Sequence, residues 1–183
     1  MRITQPAGEL RFGIRRAAER DLAELGRMRA ALQELIIEYD PKVLRLTDEF
    51  IAGLPDAYRR VMAKDENRIF VAADGQDRPV GMVMLRIIES GECDQRPWVS
   101  EPGRLRFGRI DDAWVEAGWR RQGVMAALVG ECCRFLVARG VPMVMLDWAN
   151  RNEPSVRAWT RLGFEPLMTM AFASPAAVLG RKE

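Results

Sequence analysis

Residues Trp119 to Leu128 read Trp-Arg-Arg-Gln-Gly-Val-Met-Ala-Ala-Leu, a basic turn with one glycine that opens an apolar helix directly after the strand-like run Ile110 to Val115. A helix start leaves its first backbone N–H groups without partners and carries about half a positive charge, so an anion is stabilised there. Strand, basic turn and helix in this order predict a place to hold a phosphate.

Working outward, 183 residues at 48% hydrophobic and 30% charged fit one globular domain able to bury its own core. Lys+Arg of 28 against Asp+Glu of 26 gives a net charge of +2, too balanced for a nucleic-acid partner recruited by the overall field. No run of about 18 apolar residues occurs and no secretory pattern follows Met1, so no membrane partner and a cytoplasmic location are expected. Three cysteines, two of them adjacent at Cys132 and Cys133, match neither a disulfide framework nor a zinc spacing, and no metal is expected. The chain has no histidine. Ser-His and Cys-His nucleophiles are therefore excluded, and any acid or base must be another side chain or a water.

The element order is β-α-α-β-β-β-α-β-α-β. Phe12 to Ala17 is a first strand, and Leu22, Leu25, Met28, Leu32, Leu35 and Ile36 recur at helical spacing after Asp21 until Pro41 stops them. Thr47 is a good N-cap for a second helical region, which Gly53 and Pro55 should break into two short helices before Tyr58 to Lys64. Arg68 to Ala73 and Pro79 to Ile88 form a hairpin around Asp74 to Asp77, and a loop over Glu89 to Gly103 leads to a strand over Arg104 to Val115. In the helix after the basic turn, Met125, Leu128, Val129, Cys132 and Leu136 fall on one face and Gly140 ends it. Pro142 to Trp148 is a strand, Asn152 caps a helix that Gly163 stops, and a last strand surrounds Phe172. This order predicts a mixed α/β sheet in one layer with helices on its faces.

Two motifs in this frame resemble the signature of the GNAT superfamily, the acyl-CoA-dependent N-acetyltransferases. The first is Arg120-Arg121-Gln122-Gly123-Val124-Met125, between the fourth strand and the third helix. The second is Asn152, Ser155, Trp159 and the pair Gly163-Phe164, in the family's register. The resemblance implies a mostly antiparallel sheet with helices on both faces and splayed fourth and fifth strands. It implies one N-acetyltransferase domain over residues 1–183, with acceptor-side elements over 12–104 and an acyl-CoA-binding core over 105–165. Dimerisation is frequent in the family.

By that resemblance the amides of Arg120, Arg121, Gln122, Gly123, Val124, Met125 and Ala126 cradle the pyrophosphate of acetyl-CoA, used as a co-substrate. The pantetheine arm runs along Ala113, Trp114 and Val115, where a backbone N–H polarises the thioester carbonyl. Met125 stands where the family prefers a small residue and is expected on the core-facing stripe. Asn152 and Ser155 are candidate pantetheine contacts, although helix capping explains Asn152 as well.

The acceptor would be a small-molecule or protein primary amine. Such an amine arrives protonated, about one part in a thousand neutral at pH 7. The candidate bases are Asp111, Asp112 and Glu116; strand alternation sends Asp111 and Asp112 to opposite faces, so at most one faces the cleft, and Asp112 is ranked first. For each, a solvated charge is the plain alternative. Trp159 occupies the place where many relatives carry a proton-donating tyrosine; its indole is a donor but no useful acid, and core packing accounts for it equally. The expected reaction is acetyl transfer by direct attack in a ternary complex, the alternative being a non-catalytic acyl-CoA sensor of the same fold.

Overall fold

The computed structural model of the protein describes residues 11–39, 45–89 and 106–167. The chain divides between Ala149 and Asn150 into two compact units. The first holds a five-stranded sheet in sequence order: β1 (Phe12–Arg16), β2 (Arg68–Asp74), β3 (Pro79–Glu89), β4 (Arg106–Val115) and β5 (Val144–Leu146). β1 to β4 are antiparallel to their neighbours and β5 joins β4 in parallel, the mixed sheet expected from the sequence.

Helix α1 (Leu22–Tyr39) and helix α2 (Asp48–Met62) cover one face. Leu22, Leu25 and Met28 of α1 and Leu54 and Tyr58 of α2 close on Ile69, Val71 and Met82 of the sheet in one buried cluster. Helix α3 (Val124–Ala138) lies on the opposite face, so close to β4 that a Cβ at Gly108 would sit 2.6 Å from Leu136 Cδ1. Both helical layers rest on β2 and β3, which explains why β2 is buried along almost its whole length.

Thr47 caps α2, its hydroxyl accepting from the Phe50 N–H at 3.1 Å. The expected break into two short helices does not occur: α2 runs unbroken through Gly53 and Pro55. Pro55 removes one backbone bond, but Leu54 and Tyr58 on either side of it are 6% and 2% exposed. Burying two large side chains at about 1.5–3 kcal/mol each offsets a proline cost of about 3 kcal/mol. The stripe of α3 also differs from expectation. Val124, Leu128, Val129, Cys132 and Leu136 are buried, whereas Met125 is only half-buried, because Val124 takes the first core position against Gly81 and Val115.

At its C-terminus α3 ends with Gly140 at φ +67°, Gly140 N–H donating to Val137 and Val141 N–H to Leu136, a Schellman cap. The second unit repeats this ending on helix α4 (Glu153–Arg161): Gly163 stands at φ +93°, Gly163 N–H donates to Thr160 and Phe164 N–H to Trp159. The predicted strand at Phe172, the Pro41 stop and the loop over residues 90–103 lie outside the described residues. No described helix is long and apolar enough to cross a membrane.

Candidate active site

β4 and β5 pair only over Gly108, Arg109 and Ile110 against Val144, Met145 and Leu146. Beyond Ile110 the fourth strand keeps its ladder to β3 but has no β5 partner, so the two strands part. At the same point the β3–β4 register jumps from Met84↔Asp112 to Leu85↔Ile110. Asp111 is therefore an extra residue on β4, a bulge that bends the strand.

The bulge overturns the expectation that Asp111 and Asp112 face opposite ways. Met82 and Met84 pack into the cluster beneath α1 and α2, and Arg86 follows them at the two-residue period on β3. Asp111 accepts from Arg86 at 2.5 and 2.9 Å and from Arg109 at 2.9 Å. Asp112 accepts from Tyr58 of α2 at 3.1 Å and pairs with Arg29 of α1 at 2.8 Å. Both carboxylates thus lie on the α1–α2 face, and Arg109 bridges to Asp147 just past β5. Simple alternation fails here because it assumes an unbroken ladder.

Asp112 is 5% exposed. Burial pushes its carboxyl above the ordinary range, the neighbouring Asp111 pushes the same way, and Arg29 and Tyr58 pull against them without prevailing. Burial and the adjacent carboxylate likewise raise the Tyr58 phenol. Arg29 also donates to Gln33 at 2.8 Å and stacks over Phe50 at 5.3 Å, so its guanidinium is fixed.

Glu116 follows the last residue of β4. One carboxylate oxygen accepts from Arg27 of α1 at 2.6 Å and from the Trp114 indole at 3.1 Å. Arg120 reaches back to the Val115 carbonyl at 2.9 Å and lies over the Trp114 ring at 4.9 Å. The sequence-predicted residues Trp114, Val115, Glu116 and Arg120 are thus brought into one connected group.

The basic turn has the form of an anion cradle. Arg121 and Gly123 both adopt positive φ, +61° and +82°, and the Gln122 amide ties the turn to the Gly118 carbonyl at 2.7 Å. The first bonded amide of α3 is that of Ala127, which donates to Gly123 at 3.0 Å. The amides of Val124, Met125 and Ala126 precede it and have no intrahelical acceptor. A Cβ at Gly123 would meet nothing within 4 Å, so the space it would point into is open. Residues 120 to 123 are exposed and Val124 is buried. Turn amides of alternating hand, a helix N-terminus and the positive charges of Arg120, held against Val115 and Trp114, and Arg121 at the rim fit a pyrophosphate.

In the second unit Asn152 caps α4, its side-chain oxygen accepting from the Ser155 N–H at 3.2 Å. Trp159 is 6% exposed and meets Phe164 edge-on at 5.4 Å between ring centroids. Here the aromatic and the Gly-Phe pair have a structural logic of their own, because the Schellman cap brings its first and last residues together.

Arg29, Tyr58, Arg86 and Arg109 were missed by sequence reasoning. A tyrosine at helical spacing from Leu54 reads as core, and an arginine in a strand reads as surface. No described group of His, Cys, Asp or Glu could hold a metal ion. Cys132 and Cys133 are free thiols, the first of them buried.

The Acetyltransferase (GNAT) family model matches residues 29–164. An uncharacterised N-acetyltransferase of Methanocaldococcus jannaschii is 27% identical over 108 residues, covering 59% of this chain and 43% of that protein, so the chain spans less than half the length of the curated relative it matches. Among solved structures, a mutant of the BH1408 protein from Bacillus halodurans superposes with a TM-score of 0.77 at 16% identity, covering 88% of this chain and 99% of that one. The aminoglycoside 6'-N-acetyltransferase AAC(6')-Ih from Acinetobacter baumannii gives 0.65 at 15% identity over 89% and 97%. AAC(6')-Iy, in complex with a bisubstrate analogue of CoA, gives 0.62 at 16% over 89% and 97%. With the parted strands, the bulge and the cradle in the places that this family model spans, the chain belongs to the GNAT family of acetyltransferases.

Proposed function

We propose that the protein transfers an acetyl group from acetyl-CoA to a primary amine by direct attack in a ternary complex, and that a small-molecule amine is the acceptor. The observation that carries this reading is the cradle itself: a left-handed Gly123 opening α3, with open space before it, directly after the strand that parts from its neighbour. The pyrophosphate would lie on the amides from Arg120 to Ala126, and the pantetheine arm would run along the unpaired edge of Ala113, Trp114 and Val115. A main-chain N–H on that edge would then face the thioester oxygen and stabilise the oxyanion formed on attack.

Asp112 is the proposed acceptor of the amine proton, through a water. It stands at the bulge, and its raised pKa moves it toward the range in which a carboxylate serves as a base. Both oxygens already accept one bond, yet each has a further lone pair to offer. Glu116 is the second carboxylate on the route and keeps an oxygen that bonds neither Arg27 nor Trp114. The Trp159 indole is a donor too weak to protonate the CoA thiolate, whose thiol-like pKa near 8.5 lets solvent do so.

Calorimetric titration with acetyl-CoA tests the cofactor assignment. Gly123→Glu puts bulk and negative charge into the cradle and is expected to abolish binding; unchanged affinity in that variant overturns the reading.

A further inference from the structure

The second concentration of positive charge on α3 lies at its other end. Two guanidinium groups share the Phe135 ring: that of Arg68 at 4.5 Å from the centroid and that of Arg139 at 4.9 Å. Arg16 joins them from β1, where it pairs with Phe70, two residues along β2 from Arg68. Arg68 is only 9% exposed, and among the described residues its side chain donates to the Asn67 carbonyl at 2.6 Å. None of the three arginines has an ion-pair partner among the described residues.

Such an arrangement is costly. Burial lowers the Arg68 pKa, and the like charges of Arg16 and Arg139 lower it further; the one carboxylate that opposes them, Asp65, sits in the exposed turn before β2 without reaching ion-pair distance. Glu66 and Glu89, the other acids nearby, are taken by Arg106, which also donates to the Arg139 carbonyl. The Phe135 ring and the negative end of the α3 dipole offset part of the charge. Buried charges in proteins come paired, and the buried Arg68 guanidinium, with Arg139 on the same ring and Arg16 on the neighbouring strand, has no such pair among the described residues, which leaves a partner to come from outside them.

We propose that Arg16, Arg68 and Arg139 form a second oxyanion site, one for a phosphate group, at the C-terminal end of α3. A phosphate spreads its acceptor oxygens tetrahedrally and carries more charge than a carboxylate, whose two oxygens lie in one plane, so it suits forks that arrive from three different elements. The site is independent of the cradle: α3 has 15 residues, about 22 Å at 1.5 Å per residue, and Gly123 and Arg139 flank its two ends. It therefore stands or falls apart from the acetyl-CoA assignment.

The test is the melting temperature in inorganic phosphate at constant ionic strength, balanced with chloride. A saturable rise is expected in the native protein. Arg139→Gln and Arg16→Gln, the latter at an exposed position that folding tolerates, should each raise the half-saturating phosphate concentration about tenfold. Arg121→Gln, in the cradle, should remove any phosphate response of that site and leave in place the response that Arg16→Gln and Arg139→Gln weaken. Glycerol 2-phosphate matching inorganic phosphate would extend the site to phosphate esters, whereas a response to the inorganic ion alone would restrict it to the free anion. No saturable rise over chloride, or a rise that Arg121→Gln removes and the other two variants keep, overturns the proposal.

Discussion

Replacing Arg29 by Met leaves the Asp112 carboxylate buried at 5% exposure, with Asp111 beside it and the Tyr58 hydroxyl as its remaining direct partner. Removing one member of a buried ion pair costs about 3–5 kcal/mol. Here the cost has a ceiling, because the carboxyl can always escape by taking up a proton. From pH 7 down to the ordinary 3.8 of an aspartate is about 3 pH units, and at about 1.4 kcal/mol per unit the escape costs about 4 kcal/mol. At pH 5 the same escape costs under about 2 kcal/mol.

The sign follows from proton counting. Asp112 is raised in the folded protein, so between the unfolded and folded values the folded state holds a proton that the unfolded state has released, and stability falls as pH rises. Loss of Arg29 widens that window upward. Urea unfolding of Arg29→Met at pH 5, 6 and 7 should therefore show a loss that grows by up to about 1.4 kcal/mol per unit. A small constant part, about 0.5–1 kcal/mol, comes from the lost stacking on Phe50. Adding Asp112→Asn keeps an acceptor for Tyr58 and removes the charge, so the double variant should recover most of the loss and show no such slope. Equal losses at pH 5 and pH 7, or a double variant no more stable than Arg29→Met, would mean that the Asp112 charge is not what Arg29 offsets.

Gly108→Ala should cost about 1–3 kcal/mol, because the new Cβ meets Leu136 Cδ1 at 2.6 Å and Cδ2 at 2.7 Å; urea midpoints of Gly108→Ala, Leu136→Val and the pair should show the double variant losing less than the two singles together. At acid pH, Asp21 is the group to follow. Burial would raise its carboxyl, but the Arg15 fork at 2.7 and 2.9 Å and the Ala18 N–H at 2.7 Å hold it below 3.8. Its contribution is therefore present above 3.8 and lost as pH falls through the lower folded value, and Asp21→Asn should flatten the acid limb of the stability curve.

Local chemistry was legible and long-range register was not. Thr47, Asn152, Gly140 and Gly163 act within four residues of themselves, so a cap or a left-handed turn is visible in the sequence and is found in place. The turn before α3 was legible in the same way from a strand, a basic turn and an apolar helix in order, whereas the left-handed φ of Gly123 was not. Pro55 misled because its penalty is local while the burial of Leu54 and Tyr58 that offsets it is tertiary. Met125 misled because 3.6-residue periodicity allows a neighbour to take the core position, and only contact with Gly81 selects Val124. The Arg29–Asp112 pair joins positions 83 residues apart and has no sequence signal at all.

The bulge at Asp111 ties the opening of the site to its charge. An inserted residue bends and twists the strand that carries it, and β4 loses β5 at this residue, which leaves Ala113, Trp114 and Val115 without a β5 partner among the described residues. The same insertion places a second carboxylate on the α1–α2 face beside Asp112, an arrangement that would be unstable alone. Arg86 from β3, Arg109 from β4 and Arg29 from α1 supply the opposite charge, each from a different element. The paired carboxylates at the bulge are therefore balanced only where β3, β4 and α1 are docked together.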